Sequence, residues 1–319
     1  MPIQWICDSA NPVIKPGQVN GELDSRVTAC GHTIRIGDTY RFYYWGQGAD
    51  QVNRICVAES PVESPNGWRG CGSVLGPQPE TDYNCDGPVI PMVLPRDGEP
   101  WLMYMGTNGK PKFEGTFHWY SGLAISHDKG LTWEYVTTEP LIDPDSPYDQ
   151  VGTGTLFVVH EGGTYHCYYT CCSGYEEVPE RGLTSIVGLG YAVSSDGICW
   201  EKPLDDFIIA PRRDALPVYE WWIAKPMVLR DADGRWRMWV SGSGHRYRIF
   251  SLISDDLLHW EWEPSDVDGD FGVGEPGTFD SEQRSYTAVT REGDEYRCWY
   301  SGNGYGATGI GYAVGKKGP

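Results

Sequence analysis

The sequence predicts an all-β chain folded as a five-bladed β-propeller, with the N-terminal strand closing the last blade. Three observations carry this. No window sustains a 3.6-residue apolar period, and 41 Gly and 23 Pro punctuate the chain too often for long helices. A short strand pattern recurs five times. The fifth copy lacks its final strand, and the N-terminus has one to spare.

The recurring unit is clearest at its second strand, which ends in aromatic and small residues. It reads "YRFYYWGQG" (40–48), "WLMYMGTNG" (101–109), "YHCYYTCCSG" (165–174), "WRMWVSGSG" (236–244) and "YRCWYSGNG" (296–304). An apolar strand precedes each: "GHTIRI", "PVIPMVL", "GTLFVV", "KPMVLR" and "YTAVTR". A third strand, a turn and a tryptophan follow in "GLAISHDKGLTWE", "GLGYAVSSDGICWE" and "FSLISDDLLHWE", and more loosely in "ICVAESPVESPNGW". Repeats of about 60–70 residues with four short strands each are propeller blades. The last unit stops at "GIGYAVGKKGP", and "IQWICDSANPVIKPG" (3–17) supplies the strand it lacks. The whole chain, 1–319, is read as a single propeller domain.

The turn "SHDKGLTW" (126–133) matches the Asp-box pattern S-x-D-x-G-x-T-W of sialidases and other propellers. Ser126 and Asp128 are expected to bond turn amides while Trp133 packs between blades, which is turn chemistry rather than catalysis. "SSDGICW" and "SDDLLHW" are looser versions.

Composition narrows the function. With 319 residues, 40% apolar and 13% aromatic, the chain can bury a sizeable core. A net charge of -19 argues against nucleic acid and anionic membranes as partners. "MPIQWICDSANP" has no basic stretch or apolar core of a signal peptide, and no apolar run nears the roughly 18 residues of a membrane span. A cytoplasmic protein is expected. The ten cysteines lack C-x-x-C spacing, and Cys167 and Cys298 fall within apolar strands as small hydrophobes. No H-E-x-x-H, Walker, G-x-S-x-G or EF-hand pattern occurs, and "GNGYG" reads as turn glycines. No metal and no cofactor are expected.

Acidic residues stand 20 to 22 positions ahead of the turn that closes each second strand: Asp24, Asp86, Asp149, Glu220 and Asp280. First strands line a propeller's channel, so these carboxylates are expected to crowd one mouth, with Glu282 pointing the same way by strand period. Converging carboxylates separate their pKa values, which yields a proton donor beside an ionised base. Glycosidic bond chemistry needs that pair. Trp221 and Trp222 offer flat faces for a sugar ring. Arg26, Lys225 and Arg284 are placed to hold carboxylates ionised or to bind substrate oxygens. His32 is either a proton shuttle or a satisfied structural histidine, and His245 with Arg246 lies on a candidate rim.

Blade rhythm and blade-start carboxylates together resemble the five-bladed propeller glycosidases: the arabinanase and xylosidase group, the invertase and levansucrase group, and the mannoside phosphorylases. The last unit (279–314) also looks like a bacterial glycosidase-like group associated with sugar biosynthesis clusters. The resemblance implies that Asp24 is base or nucleophile and that Asp86 tunes pKa and binds hydroxyls. Where the family carries a glutamate as general acid this chain has Asp149, one methylene shorter, and Glu220 or Glu282 is the alternative donor. Three readings stay open. One is cleavage or transfer of a glycosidic bond. Another is other acid–base chemistry, such as isomerisation, elimination or cyclisation on a biosynthetic intermediate. The third is sugar binding without catalysis. The partner is a small molecule or oligosaccharide in each case, and the oligomeric state is not legible.

Overall fold

The computed structural model describes residues 3–111, 119–178, 182–213, 220–244, 246–265, 269–270 and 272–317. Apart from a 3₁₀ turn at Gly21–Asp24 and one helical turn, α1 (Asn303–Gly306), its regular structure is all strand. Strand β1 (Ile3–Cys7) is followed by a first sheet of β2 (Val27–Ile36), β3 (Thr39–Gln47), β4 (Asn53–Pro61) and β5 (Arg69–Leu75), paired in that order. A second consists of β6 (Gly87–Leu94), β7 (Trp101–Asn108), β8 (Trp119–Ser126) and β9 (Glu134–Tyr135). Strands β10 (Gly152–Glu161), β11 (Thr164–Val178) and β12 (Gly182–Ser194) form a third meander, and β13 (Trp222–Arg230), β14 (Trp236–Ser243), β15 (Tyr247–Ser254) and β16 (Glu261–Trp262) a fourth. These two join as one seven-stranded sheet, but only through the parallel pairing of Val187 with Trp222. The last sheet contains β17 (Ser285–Glu292), β18 (Glu295–Ser301) and β19 (Ile310–Lys317), and β1 adds antiparallel to β19 from Ile3↔Lys317 to Cys7↔Ala313.

The first strands of the meanders, β2, β6, β10, β13 and β17, pack one beside the next, and β17 returns to β2. They are almost wholly buried, as the apolar runs along them require. Aromatic pairs bind neighbouring meanders edge to face: Tyr43–Trp133, Tyr104–Trp200, Tyr168–Trp260, Trp239–Trp5 and Trp299–Trp68, with centroids 5.5–6.3 Å apart. Such pairs contribute about 0.5–1.5 kcal/mol each beyond the area they bury. Trp5 makes its contact from β1, so the N-terminal strand adds a cross-sheet ring as well as hydrogen bonds.

The Asp-box turn behaves as its sequence predicts. Asp128 accepts from the Leu131 and Thr132 amides at 3.0 and 2.9 Å, and Ser126 from Gly130 N–H at 2.8 Å. Asp196 and Asp256 repeat this in their own turns. Each turn carbonyl takes a tyrosine hydroxyl from the preceding meander: Tyr43 to Gly130, Tyr104 to Gly197 and Tyr168 to Leu257. No helix among the described residues is long and apolar enough to cross a membrane. Cys167 and Cys298 are buried in β11 and β18.

Candidate functional site

Because the five first strands run side by side, their starts rim one end of the molecule, and the connections between second and third strands lie at the same end. The sequence-predicted residues fall there in two groups that the sequence does not separate.

The first group is sealed. Asp24, Asp149 and Glu220 have no exposed surface and Asp280 has 3%. Each is bound within its own sheet instead of facing the others. Tyr44 donates to Asp24 at 2.6 Å, Tyr169 to Asp149 at 2.9 Å and Tyr300 to Asp280 at 3.0 Å, always from 20 residues further along the chain. Lys202 adds an ion pair to Asp149 at 2.9 Å and Arg284 one to Asp280 at 2.7 Å. Arg212 spans both oxygens of Glu220 at 3.1 and 3.3 Å while stacking over Trp262, and Arg248 approaches at 3.5 Å. Asp24 has no cation within ion-pair distance among the described residues, and its Oδ1 is buried without a hydrogen-bond partner. Burial pushes the Asp24 carboxyl up, against the Tyr44 and Asn20 hydrogen bonds. Burial also raises Glu220, and Arg212 and Arg248 hold that rise back. The expectation that the blade-start carboxylates crowd one mouth is therefore corrected for these four.

The second group is open. Asp86 and Glu282 are exposed, and in the second sheet the sealed polar residue is Asn84, not Asp86. Glu282 precedes β17 and does not share the orientation of Asp280, so the strand-period argument fails there. Arg26 is exposed ahead of β2 and makes no ion pair with Asp24. Since β17, β2 and β6 are successive neighbours, the strand starts carry Glu282, Arg26 and Asp86 in that order around the end. Arg284 holds Asp280 rather than Glu282.

Aromatic rings face this end. Trp222 is half-buried and Trp221 buried. Trp222 meets Trp119 at 6.4 Å and Tyr247 at 6.2 Å, and Tyr247 meets Tyr286 at 6.0 Å and Tyr305 at 5.6 Å. The arc thus links the second, fourth and last sheets. Sequence reasoning found only Trp221 and Trp222; the signal for Trp119, Tyr247 and Tyr305 was an aromatic residue beside each hairpin connection.

Two other candidates lie deeper, and for His32 the contacts fit the structural alternative. His32 does not reach the end: its Nδ1 accepts the Val93 amide at 3.2 Å and its ring packs edge-on to Phe157 at 5.3 Å. Burial and the Lys225 charge press it down to about 3, so it is a neutral structural histidine. Among the described residues Lys225 holds no carboxylate; its ammonium turns to the carbonyls of Gly31, at 2.9 Å, and Thr287. His245 lies outside the described residues. Among the described residues no cluster of His, Cys, Asp and Glu is arranged to hold a metal ion.

No family model matches the chain. Uncharacterized proteins from two strains of Mycobacterium tuberculosis are 29% identical to it over 284 residues, 87% of this chain and 88% of theirs. A β-1,2-mannobiose phosphorylase of Thermoanaerobacter sp. (strain X514) is 26% identical over 136 residues, 40% of this chain and 43% of its own. Among solved structures, a glycoside hydrolase superposes with a TM-score of 0.72 at 16% identity, covering 96% of this chain and 92% of that one. The chain has a glycoside-hydrolase propeller fold. The α-L-arabinofuranosidase of Podospora anserina, solved with cellotriose, gives 0.67 at 12% identity over 99% and 98% of the two chains. At these identities the likeness concerns the fold, while function lives in the site.

Proposed function

We propose that this chain is a five-bladed propeller that binds a sugar at the strand-start end and cleaves or transfers a glycosidic bond there, with Asp86 and Glu282 as its acid–base pair. The observation that carries this reading is the division between sealed and open carboxylates. A general acid or base has to come within hydrogen-bond reach of substrate, and of the blade-start acids only Asp86 and Glu282 are exposed. Arg26, exposed at the start of the strand between theirs, can donate to a substrate oxygen. Trp119, Trp222 and Tyr305, the accessible members of the arc, supply apolar faces of the kind that stack on sugar rings. Asp24, Asp149, Glu220 and Asp280 serve in this reading as staples that hold each connection onto its sheet. Five blades are supported by the cyclic packing of β2, β6, β10, β13 and β17 and by the five cross-sheet aromatic pairs.

One observation favours sugar binding without bond chemistry. The positions to which the family resemblance assigns base and acid, Asp24 and Asp149, are both closed over by tyrosines. A single experiment separates the readings. Wild type, Asp86→Asn and Glu282→Gln are incubated with a broad set of glycosides and sugar phosphates, with and without inorganic phosphate, and products are followed by mass spectrometry. Product from the wild type that both variants fail to make supports the pair. Undiminished product from either variant removes that residue from the chemistry. Sugar binding by folded wild type with no product from any glycoside favours the binding role.

A further inference from the structure

Four cationic side chains are buried among the described residues: Arg237, Arg248, Arg284 and Lys225. The three arginines each meet a carboxylate, Arg237 with Asp231 and Glu263, Arg248 with Glu220, and Arg284 with Asp280. Lys225 meets none. It is 4% exposed, and its Nζ donates to the Gly31 carbonyl at 2.9 Å and to the Thr287 carbonyl. An ammonium has three N–H donors, so one remains without an acceptor among the described residues.

All five first strands carry a bulge at this level, and Lys225 occupies the one in β13 between Ala224 and Met227 with a φ of +50°, as Ile90 and Tyr286 occupy theirs in β6 and β17. The bulge amide is tied to Thr170 Oγ1 at 3.0 Å. Lys225 belongs to the fourth sheet, and these bonds reach the third, the first and the last across the centre of the ring. Gly31 is required opposite it, since a Cβ there would lie 2.6 Å from Pro91 and 2.4 Å from the Tyr43 carbonyl. Lys225 is three residues along β13 from the half-buried Trp222, inward from the aromatic arc.

A buried charge with no counter-ion lowers stability and is kept where it has a use. We propose that Lys225 is the cationic floor of the ligand pocket, and that its remaining N–H receives an oxyanion of the substrate or co-substrate, a carboxylate or a phosphate. This rests on the strand-start end being the ligand pocket, but its readout is anion binding and not turnover, so the two readings can fail separately.

The titratable groups facing Lys225 make the test clean. On β2 these are Cys30, whose thiol burial pushes far up, and His32, which is neutral above about 3. On β18 it is Cys298, also pushed up by burial, and on β17 the buried Tyr286 next to Thr287, pushed up likewise. Burial brings Lys225 itself down to about 8. Lys225 is then the one of these groups that changes charge between pH 7 and 9.

Thermal melting and isothermal titration of the wild type with inorganic phosphate and, separately, with glucuronate at pH 7 and pH 9 test the proposal. Lys225→Met is measured alongside, at constant ionic strength. The expected result is that at least one anion stabilises and binds the wild type at pH 7, with affinity falling about tenfold at pH 9 as the ammonium deprotonates, and that Lys225→Met does not respond. Phosphate alone, or glucuronate alone, identifies which oxyanion the floor receives. An equal response from folded Lys225→Met, a wild-type response unchanged at pH 9, or no response to either anion overturns the proposal. Should Lys225→Met fail to fold, the pH dependence of the wild type decides alone.

Discussion

Asp24 and Glu220 stand at the same point of their repeats, each just ahead of a first strand and each without exposed surface, yet they are held in opposite ways. Glu220 is an ion pair: two guanidinium groups converge on it, one of them braced on Trp262. Asp24 is a hydrogen-bonded acid with a tyrosine hydroxyl, one backbone amide and an oxygen left over. What the repeat preserves is therefore an anchor for the connection, and not a charge state. The second sheet makes the same point, because Asn84 is buried at the corresponding connection with no charge at all.

Glu220→Gln removes the buried carboxylate on which Arg212 and Arg248 converge, and is expected to cost about 3–5 kcal/mol of unfolding free energy in denaturant titration. A loss under 1 kcal/mol would show that the arginines find other partners. Tyr44→Phe removes the main donor to Asp24 and should cost about 1–3 kcal/mol, the penalty of an unsatisfied buried polar group. If Tyr44→Phe is neutral, Asp24 does not depend on that bond.

Asp24→Asn sharpens the contrast. With no ion pair to lose and with Tyr44 still able to donate to the amide oxygen, the change at pH 7 should stay within about 1 kcal/mol. Its pH dependence has a definite sign. Burial raises the folded carboxyl above its unfolded value, so the Asp24 contribution is full in acid and is lost as pH rises through the raised value. Asp24→Asn is free of that loss and should gain stability relative to the wild type between pH 4 and pH 7, measured by paired melts. A relative gain in the opposite direction would mean that Asp24 is held ionised. The smallest effect belongs to the rim. Asp86→Asn and Glu282→Gln, being exposed, should shift unfolding by no more than about 0.5 kcal/mol, so that any loss of activity in them is a loss of chemistry.

Much of this was legible in the chain. Strand rhythm, Asp-box turns and the spare N-terminal strand are local properties: side chains alternate with period two, and Ser, Asp and Gly satisfy turn backbones wherever the turn lies. A tyrosine 20 residues after Asp24, Asp149 and Asp280 was also there to be read, and it marks three of the four sealed acids; Glu220 has Val240 at that spacing. What only the tertiary structure decided is where charged side chains point. Asp86 was two residues from the sealed position, which Asn84 fills, so in the second sheet the acid stays outside. Lys225, expected to hold a carboxylate, sits at a bulge that breaks the strand alternation, and its ammonium reaches across the ring. Periodicity determined the sheets; bulges and connections, whose geometry depends on neighbouring sheets, decided which carboxylates meet solvent and which cation lacks a counter-charge.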